Sequence, residues 1–280
     1  MKRIAVITDA TSPEYLFPVW IDYYGGLFGR ENLFVVTYDG IKSLFPVDLG
    51  FVWDMNTPYS DDIRAKVLSS LCSSLLDVYH AVIRCDVDEF LVADPRKYAT
   101  LRNFVTSSDV PYITARGIDV IETSDELEFK TDTGLLAQRQ FGVRSAALNK
   151  TCVIQSPVRW APGFHGADVF PKFDRLFLFH MKFADIKGRI KWFDHMSSLG
   201  FAADSREATY FSQGAQKLSE HQKWLLKKPV VHGWPEIDDK SFDTRFIESV
   251  TYNQIHRIYQ GAFTTGDSVF RIPDDFRGIV

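Results

Sequence analysis

The stretch from Tyr79 to Pro95, YHAVIRCDVDEFLVADP, constrains this chain more than any other: an apolar run stops abruptly at three carboxylates, Asp86, Asp88 and Glu89. His80 to Cys85 reads as a strand buried on both faces, a short Val- and Ile-bearing run after a helical pattern. The carboxylates then fall past its C-terminal end, where open α/β sheets hold their ligands. Asp86 and Asp88 are two apart, so on an extended backbone their side chains point the same way. Hard oxygen donors at this spacing suit Mg²⁺ or Mn²⁺, cations that usually also hold substrate phosphates. A solvated acidic turn that only caps the strand is the alternative.

The flanking sequence repeats the theme of a strand ending in polar groups. Arg3 to Thr8 reads as a buried strand, with Thr8, Asp9, Ala10 and Thr11 after it and a helix start at Ser12-Pro13. Leu33 to Tyr38 is a second strand and ends in Asp39-Gly40, while Ile41 to Pro58, broken by Pro46, Gly50 and Pro58, reads as an irregular connection. Ser60 caps a helix with Asp61 and Asp62 in its first turn, where they complement the dipole. Ile63, Val67, Leu71, Leu75 and Val78, with Leu68, Cys72, Leu76 and Tyr79 broadening the stripe, mark the face of that helix that packs on the sheet, and Arg64 reaches the sheet's rim.

Further along, Pro95 opens a short helix, and Tyr112 to Ile121, Thr151 to Gln155 and Leu176 to Phe183 read as strands. Asp185 caps one helix, Asp204 with Glu207 forms a capping box for another, and a helical pattern surrounds Phe242, Phe246, Ile247 and Val250. Strands alternating with helices predict an α/β fold: a doubly wound, mostly parallel sheet flanked by helices. Residues 1–200 form the core, and 201–280 form a helical segment packed on it. In such a sheet Asp9, Asp39, Asp86 and Asp88 share one rim. A nucleotide with a bound metal explains why acids gather there: one acid meets ribose or base, another the cation, and Arg64 the phosphates.

A second site-like stretch is SPVRWAPGFHGAD, Ser156 to Asp168, where prolines and glycines exclude a long regular element while Arg159, Trp160, His165 and Asp168 supply chemistry. Net charge of −4 argues against a general polyanion binder, so duplex nucleic acid is not an expected partner. The first apolar run stops at Asp9, too short for a signal peptide or a membrane span, which predicts a cytoplasmic chain with no transmembrane segment. Cys72, Cys85 and Cys152 sit in apolar surroundings without CxxC spacing and read as core residues.

Asp86-Val87-Asp88-Glu89-Phe90 after a buried strand resembles the DxD motif of GT-A glycosyltransferases, in the DxDEF form of family-2-like and family-92-like members. Glu14-Tyr15-Leu16 with Trp20 to Tyr24, Asn149-Lys150 before a strand, Trp160 through His165, and Leu178-Phe179-His180-Met181-Lys182 add to the resemblance by their order, which spans Lys2 to Asp185. It implies a sugar transfer from a nucleotide-sugar donor, UDP-linked by family habit, to a carbohydrate or lipid-linked acceptor. It also implies that Asp88 binds Mn²⁺ or Mg²⁺, that Asp86 contacts ribose or metal, and that His180 is a late metal ligand. Asp39 takes the nucleobase or is a turn residue; Thr8, Asp9, Arg64 and Lys182 line the donor, with Lys150 another candidate for phosphate. An inverting enzyme further needs a base for the acceptor hydroxyl. Asp168 is the first candidate and His165 the next, ahead of Asp119 and Glu122, and Trp160 and Phe164 either stack on an acceptor sugar or pack in the core.

Other readings use the same residues. A metal-dependent nucleotidyltransferase or phosphohydrolase also employs a DxD with a downstream histidine, and a non-catalytic module binds nucleotide sugar without turnover. The 201–280 segment belongs to the acceptor side, and the inner face of the membrane is an alternative location to the free cytoplasm. The reading requires Asp88 and His180 to meet; far apart, they exclude this enzyme.

Overall fold

The computed structural model describes residues 2–12, 15–38, 40–198, 206–231, 233–234 and 240–280. Its first half winds helices onto both faces of parallel strands. β1 (Ile4–Asp9) is buried along its whole length and pairs in parallel with β2 (Leu33–Thr37) and β4 (Ala81–Arg84). Alternate side chains of a strand face opposite ways, so Ile4 and Val6 meet α1 (Phe17–Phe28) through Phe17, Trp20 and Tyr24. Ala5 and Ile7 meet α2 (Asp61–Leu75) on the other face. The expected irregular connection between β2 and α2 contains a strand, β3 (Phe51–Asp54), which adds a parallel edge to the sheet.

Three local expectations are corrected. α1 begins at Phe17 with Pro18 in its first turn, where a missing N–H costs nothing; Pro13 and Asp39 lie outside the described residues. In α2 the expected Leu68 and Cys72 are buried together with Arg64, Ala65 and Ser69, whereas Ile63 in its first turn and Val78 beyond its end face water. Arg64 turns inward to pair with Asp9 and Asp86. Pro95 sits in a turn held by the Asp94 carboxylate, which accepts from the Arg96 N–H, and α3 (Leu101–Ser107) starts later, capped by Thr100.

The second half is largely antiparallel. β5 (Glu89–Ala93), β6 (Tyr112–Ile121), β7 (Phe141–Ser145), β8 (Thr151–Ile154) and β10 (Phe173–Phe183) follow in sequence, with α4 (Leu135–Gln138) before β7 and the short β9 (Gly166–Ala167) after β8. β8 joins the halves, antiparallel to both β4 and β6, and β10 lies between β5 and β6. The α/β class stands, but the sheet is mixed rather than mostly parallel.

The 201–280 segment is not purely helical. It carries α6 (Arg206–Ser212), α7 (Gly214–Leu225) and α8 (Lys240–Ser249), following α5 (Ile186–Ser198), and also β11 (Val230–Val231), β12 (Thr251–Asn253), β13 (Ile258–Gln260) and β14 (Thr265–Arg271). β14 extends the main sheet on β7, and its Phe270, with Phe276 beyond it, packs against Phe177 and Phe179. Asp243 of α8 pairs with Arg116 at 2.7 Å and Arg144 at 2.6 Å, docking the helix on the sheet. Asp204, with its expected cap, lies outside the described residues. No helix among those residues is long and apolar enough to cross a membrane.

Candidate active site

A cleft of about 1420 Å³ opens beyond the ends of β1 and β4, roofed by the Pro162–His165 loop and walled by α5. Ligand sites usually occupy roughly 300–1,000 Å³, so this one has room for two reactants together. Its floor divides into two charged groups, one on each side of the DVDEF turn.

On the first side, the Arg64 guanidinium donates to both oxygens of Asp9, at 2.7 and 3.0 Å, and to Asp86 Oδ1 at 2.8 Å. Arg84 Nη2 donates to the same Asp86 oxygen. Lys150 Nζ completes the set at 3.1 Å from Asp86 Oδ2 and 2.5 Å from Glu89 Oε1, and Glu89 accepts from the Asp86 N–H at 3.0 Å. Three buried cations thus face Asp9, Asp86 and Glu89. Burial pushes the Asp86 carboxyl up, but Arg84, Lys150 and Arg64 outweigh it and hold the group well below the usual carboxylate range. Burial likewise opposes the charge of Lys150, and Asp86 with Glu89 reverse this and raise its pKa.

This network corrects several expected roles. Both Asp86 oxygens are engaged by cations, Oδ1 by Arg64 and Arg84 and Oδ2 by Lys150, so this residue anchors the turn. Arg64 and Asp9 line the cleft but direct their polar atoms at each other. Thr8 is fully buried, with Oγ1 bonded to the Asp9 carbonyl at 3.3 Å, and lies outside the cleft lining. Lys182 does line it, its Nζ 5.4 Å from the centre of the Phe183 ring.

On the second side, Asp88 Oδ2 lies 3.4 Å from His180 Nε2 and accepts from Arg189 Nη1 at 2.7 Å. His180 Nδ1 donates to Asp119 Oδ1 at 2.7 Å. Strand register creates this group: His180 of β10 stands opposite Glu89 of β5 and Asp119 of β6. Burial disfavours the imidazolium, yet Asp88 and Asp119 overcome it and push His180 up to about 9. Arg189 and His180 hold Asp88 far below its ordinary value against the same burial. Arg189 arises from the first turn of α5, which Asp185 caps by accepting from the Gly188 N–H at 3.0 Å. Its guanidinium stacks over Trp192 at 3.9 Å, and its buried Nε has no hydrogen-bond partner.

Two ligands fit a divalent cation here. An imidazole oriented by a carboxylate on its far nitrogen is the common arrangement of a metal-binding histidine. Mg²⁺-type sites often use one or two carboxylates, with phosphates and water completing the shell. Among the described residues no group of three His, Cys, Asp or Glu is placed to hold a metal, so the expected trio of Asp86, Asp88 and His180 reduces to Asp88 with His180.

The breaker-rich loop contributes through its backbone. Gly163 and Phe164 adopt consecutive left-handed conformations, φ 73° and 60°, which turn the Phe164 ring beneath Arg84, 3.1 Å from its centroid. Phe164 and Trp160 are therefore buried, Trp160 donating to the Thr151 carbonyl, and neither is an acceptor platform. Asp168 accepts from the Arg159 N–H at 2.9 Å and lies outside the cleft lining, which corrects its expected role as the base. His165 faces the cleft. Its Nδ1 donates to the Ala147 carbonyl at 2.6 Å, which fixes the tautomer and leaves the Nε2 lone pair free; burial and Lys150 push its pKa down to about 4. Of the other base candidates, Asp119 serves His180, and Glu122 accepts from the Ile186 N–H.

Sequence reasoning missed Arg84, Arg189 and Phe263. Arg84 had a signal: a charged residue inside the apolar run AVIRC must find an acid. Phe263 had none, coming from the far end of the chain to stand 5.0 Å from the His165 ring while more than half exposed. No model of a known protein family matches the chain, and no curated protein matches it.

Proposed function

We propose that the chain is a metal-dependent glycosyltransferase of GT-A type, moving a sugar from a UDP-linked donor to a carbohydrate or lipid-linked acceptor with inversion, in the cytoplasm or at the membrane's inner face. The observation that carries the reading is the Asp88–His180 contact of 3.4 Å, backed by Asp119, at the strand ends of a cleft large enough for donor and acceptor.

Asp88 and His180 Nε2 would hold Mn²⁺ or Mg²⁺, which stabilises charge developing on a diphosphate leaving group. As a ligand His180 would be neutral, offering its Nε2 lone pair to the cation while Nδ1–H stays on Asp119. Arg189, now on Asp88, exchanges that carboxylate for leaving-group oxygens, which its planar fork suits. Lys182 lies on the same wall. On the opposite side His165 Nε2 accepts the acceptor hydroxyl's proton, and Phe263 beside it offers a ring face to the acceptor sugar.

Thermal-shift titration with UDP-, GDP-, CMP- and dTDP-sugars, with and without Mn²⁺, tests binding. A ligand at a hundred times its Kd adds about 2.7 kcal/mol of stability, a readily visible shift. Release of free UDP that depends on Mn²⁺ is the expected product. Release of inorganic phosphate or pyrophosphate instead indicates a phosphohydrolase or nucleotidyltransferase, and binding without any release indicates a non-catalytic module.

A further inference from the structure

The stretch His221 to Val231, HQKWLLKKPVV, contains three lysines and no acid, in a chain whose net charge is −4. It runs from the last turn of α7 into β11, the outermost strand of the main sheet. Leu225 is its one buried large apolar side chain and packs in the cluster of Phe183 and Phe193. The others face outward: Trp224 is 47% exposed, Leu226 44%, Val230 55% and Val231 41%. Lys228 rests its Nζ 4.0 Å from the Trp224 ring centre.

We infer that this face docks on an anionic lipid bilayer. Tryptophan settles at headgroup depth, aliphatic side chains reach the acyl boundary, and lysines meet anionic headgroups, so one surface with all three matches an interfacial element. A soluble polyanion is the competing partner, and it would use the lysines while leaving the outward Trp, Leu and Val without a role. Position links the surface to the cleft. The Trp224 ring stands 5.2 Å from His221, His221 stands 4.9 Å from Phe183, and Lys182 Nζ lies over Phe183 on the cleft wall. A docked chain would open that wall beside the bilayer, which favours the lipid-linked acceptor. This last consequence rests on the proposed function; the docking itself does not.

Co-sedimentation of the full chain with vesicles tests the inference, comparing phosphatidylcholine alone with a mixture containing about a third phosphatidylglycerol. Binding is expected to the anionic vesicles only, and to weaken as salt rises. Lys223→Glu with Lys227→Glu should weaken it on the order of tenfold or more. Trp224→Ser should weaken it too, with unchanged Tm in both variants. Failure to bind anionic vesicles, or equal binding to neutral ones, overturns the inference. So does binding to inorganic polyphosphate that the lysine variant loses and Trp224→Ser retains, because that pattern identifies a soluble polyanion. Donor and Mn²⁺ are absent throughout, so this binding does not depend on the proposed function; failure of the separate Mn²⁺-dependent UDP-release assay would defeat that reading and leave the docking surface standing.

Discussion

Lys150 is the most exacting test of the charge network, because among the described residues its ammonium is the salt-bridge partner of Glu89. In the folded chain Lys150 Nζ bridges Asp86 and Glu89, while Asp86 also has Arg64 and Arg84. Lys150→Met keeps the length of the side chain and removes the charge, leaving Glu89 buried with the Asp86 N–H as its remaining partner. Breaking a buried pair from one side typically costs about 3–5 kcal/mol. A domain near this size loses roughly 2–4 °C of Tm per kcal/mol, so a fall of about 6–20 °C is expected by calorimetry. Adding Glu89→Gln rebalances the charges, with Arg64 and Arg84 facing Asp9 and Asp86, and should recover half the loss or more, since replacing both members of a buried pair is often close to neutral. A single variant within about 1 kcal/mol of wild type, or a double variant no better than the single, would refute the account of this network.

His180 gives a pH prediction. Its folded value of about 9 exceeds the unfolded value of about 6.5, so its contribution is fully present below pH ~6.5 and is lost as pH rises through 9, on the order of 3 kcal/mol in all. Tm should fall across that window in wild type and stay flatter in His180→Asn; parallel curves count against the Asp88–His180–Asp119 group. Asp88→Asn should abolish any Mn²⁺-dependent shift by UDP-sugar, whereas Asp9→Asn should lower stability with that shift retained in the variant that still folds. Arg189→Gln should strengthen binding of Mn²⁺ alone, read by electron paramagnetic resonance, and weaken binding of UDP; a loss of both would mark a merely structural role. His165→Ala should lower turnover by about 10²–10⁴-fold, and Asp168→Asn should leave it within twofold; the reverse ranking restores Asp168 as the base.

The run HAVIRCDVDEF by itself determined a buried strand with acids past its end, and the pattern Asp61 to Leu75 determined a helix beside it, because burial and capping are written in local order. His180 and Asp88 were legible as a pair only through resemblance, since nothing within either segment says how β10 is registered on β5. Tertiary structure decided which acid does what. Asp86 and Asp88, two positions apart, face different charges because Arg64 and Arg84 come from α2 and β4 and Lys150 immediately precedes β8, whereas His180 and Arg189 come from β10 and α5. Asp168 and His165 lie three apart on one loop, yet only the left-handed turn at Gly163 and Phe164 sets which of them meets the cleft. A residue's chemistry is a property of its side chain, but its partners depend on register and loop closure, and those are fixed only when distant segments pack.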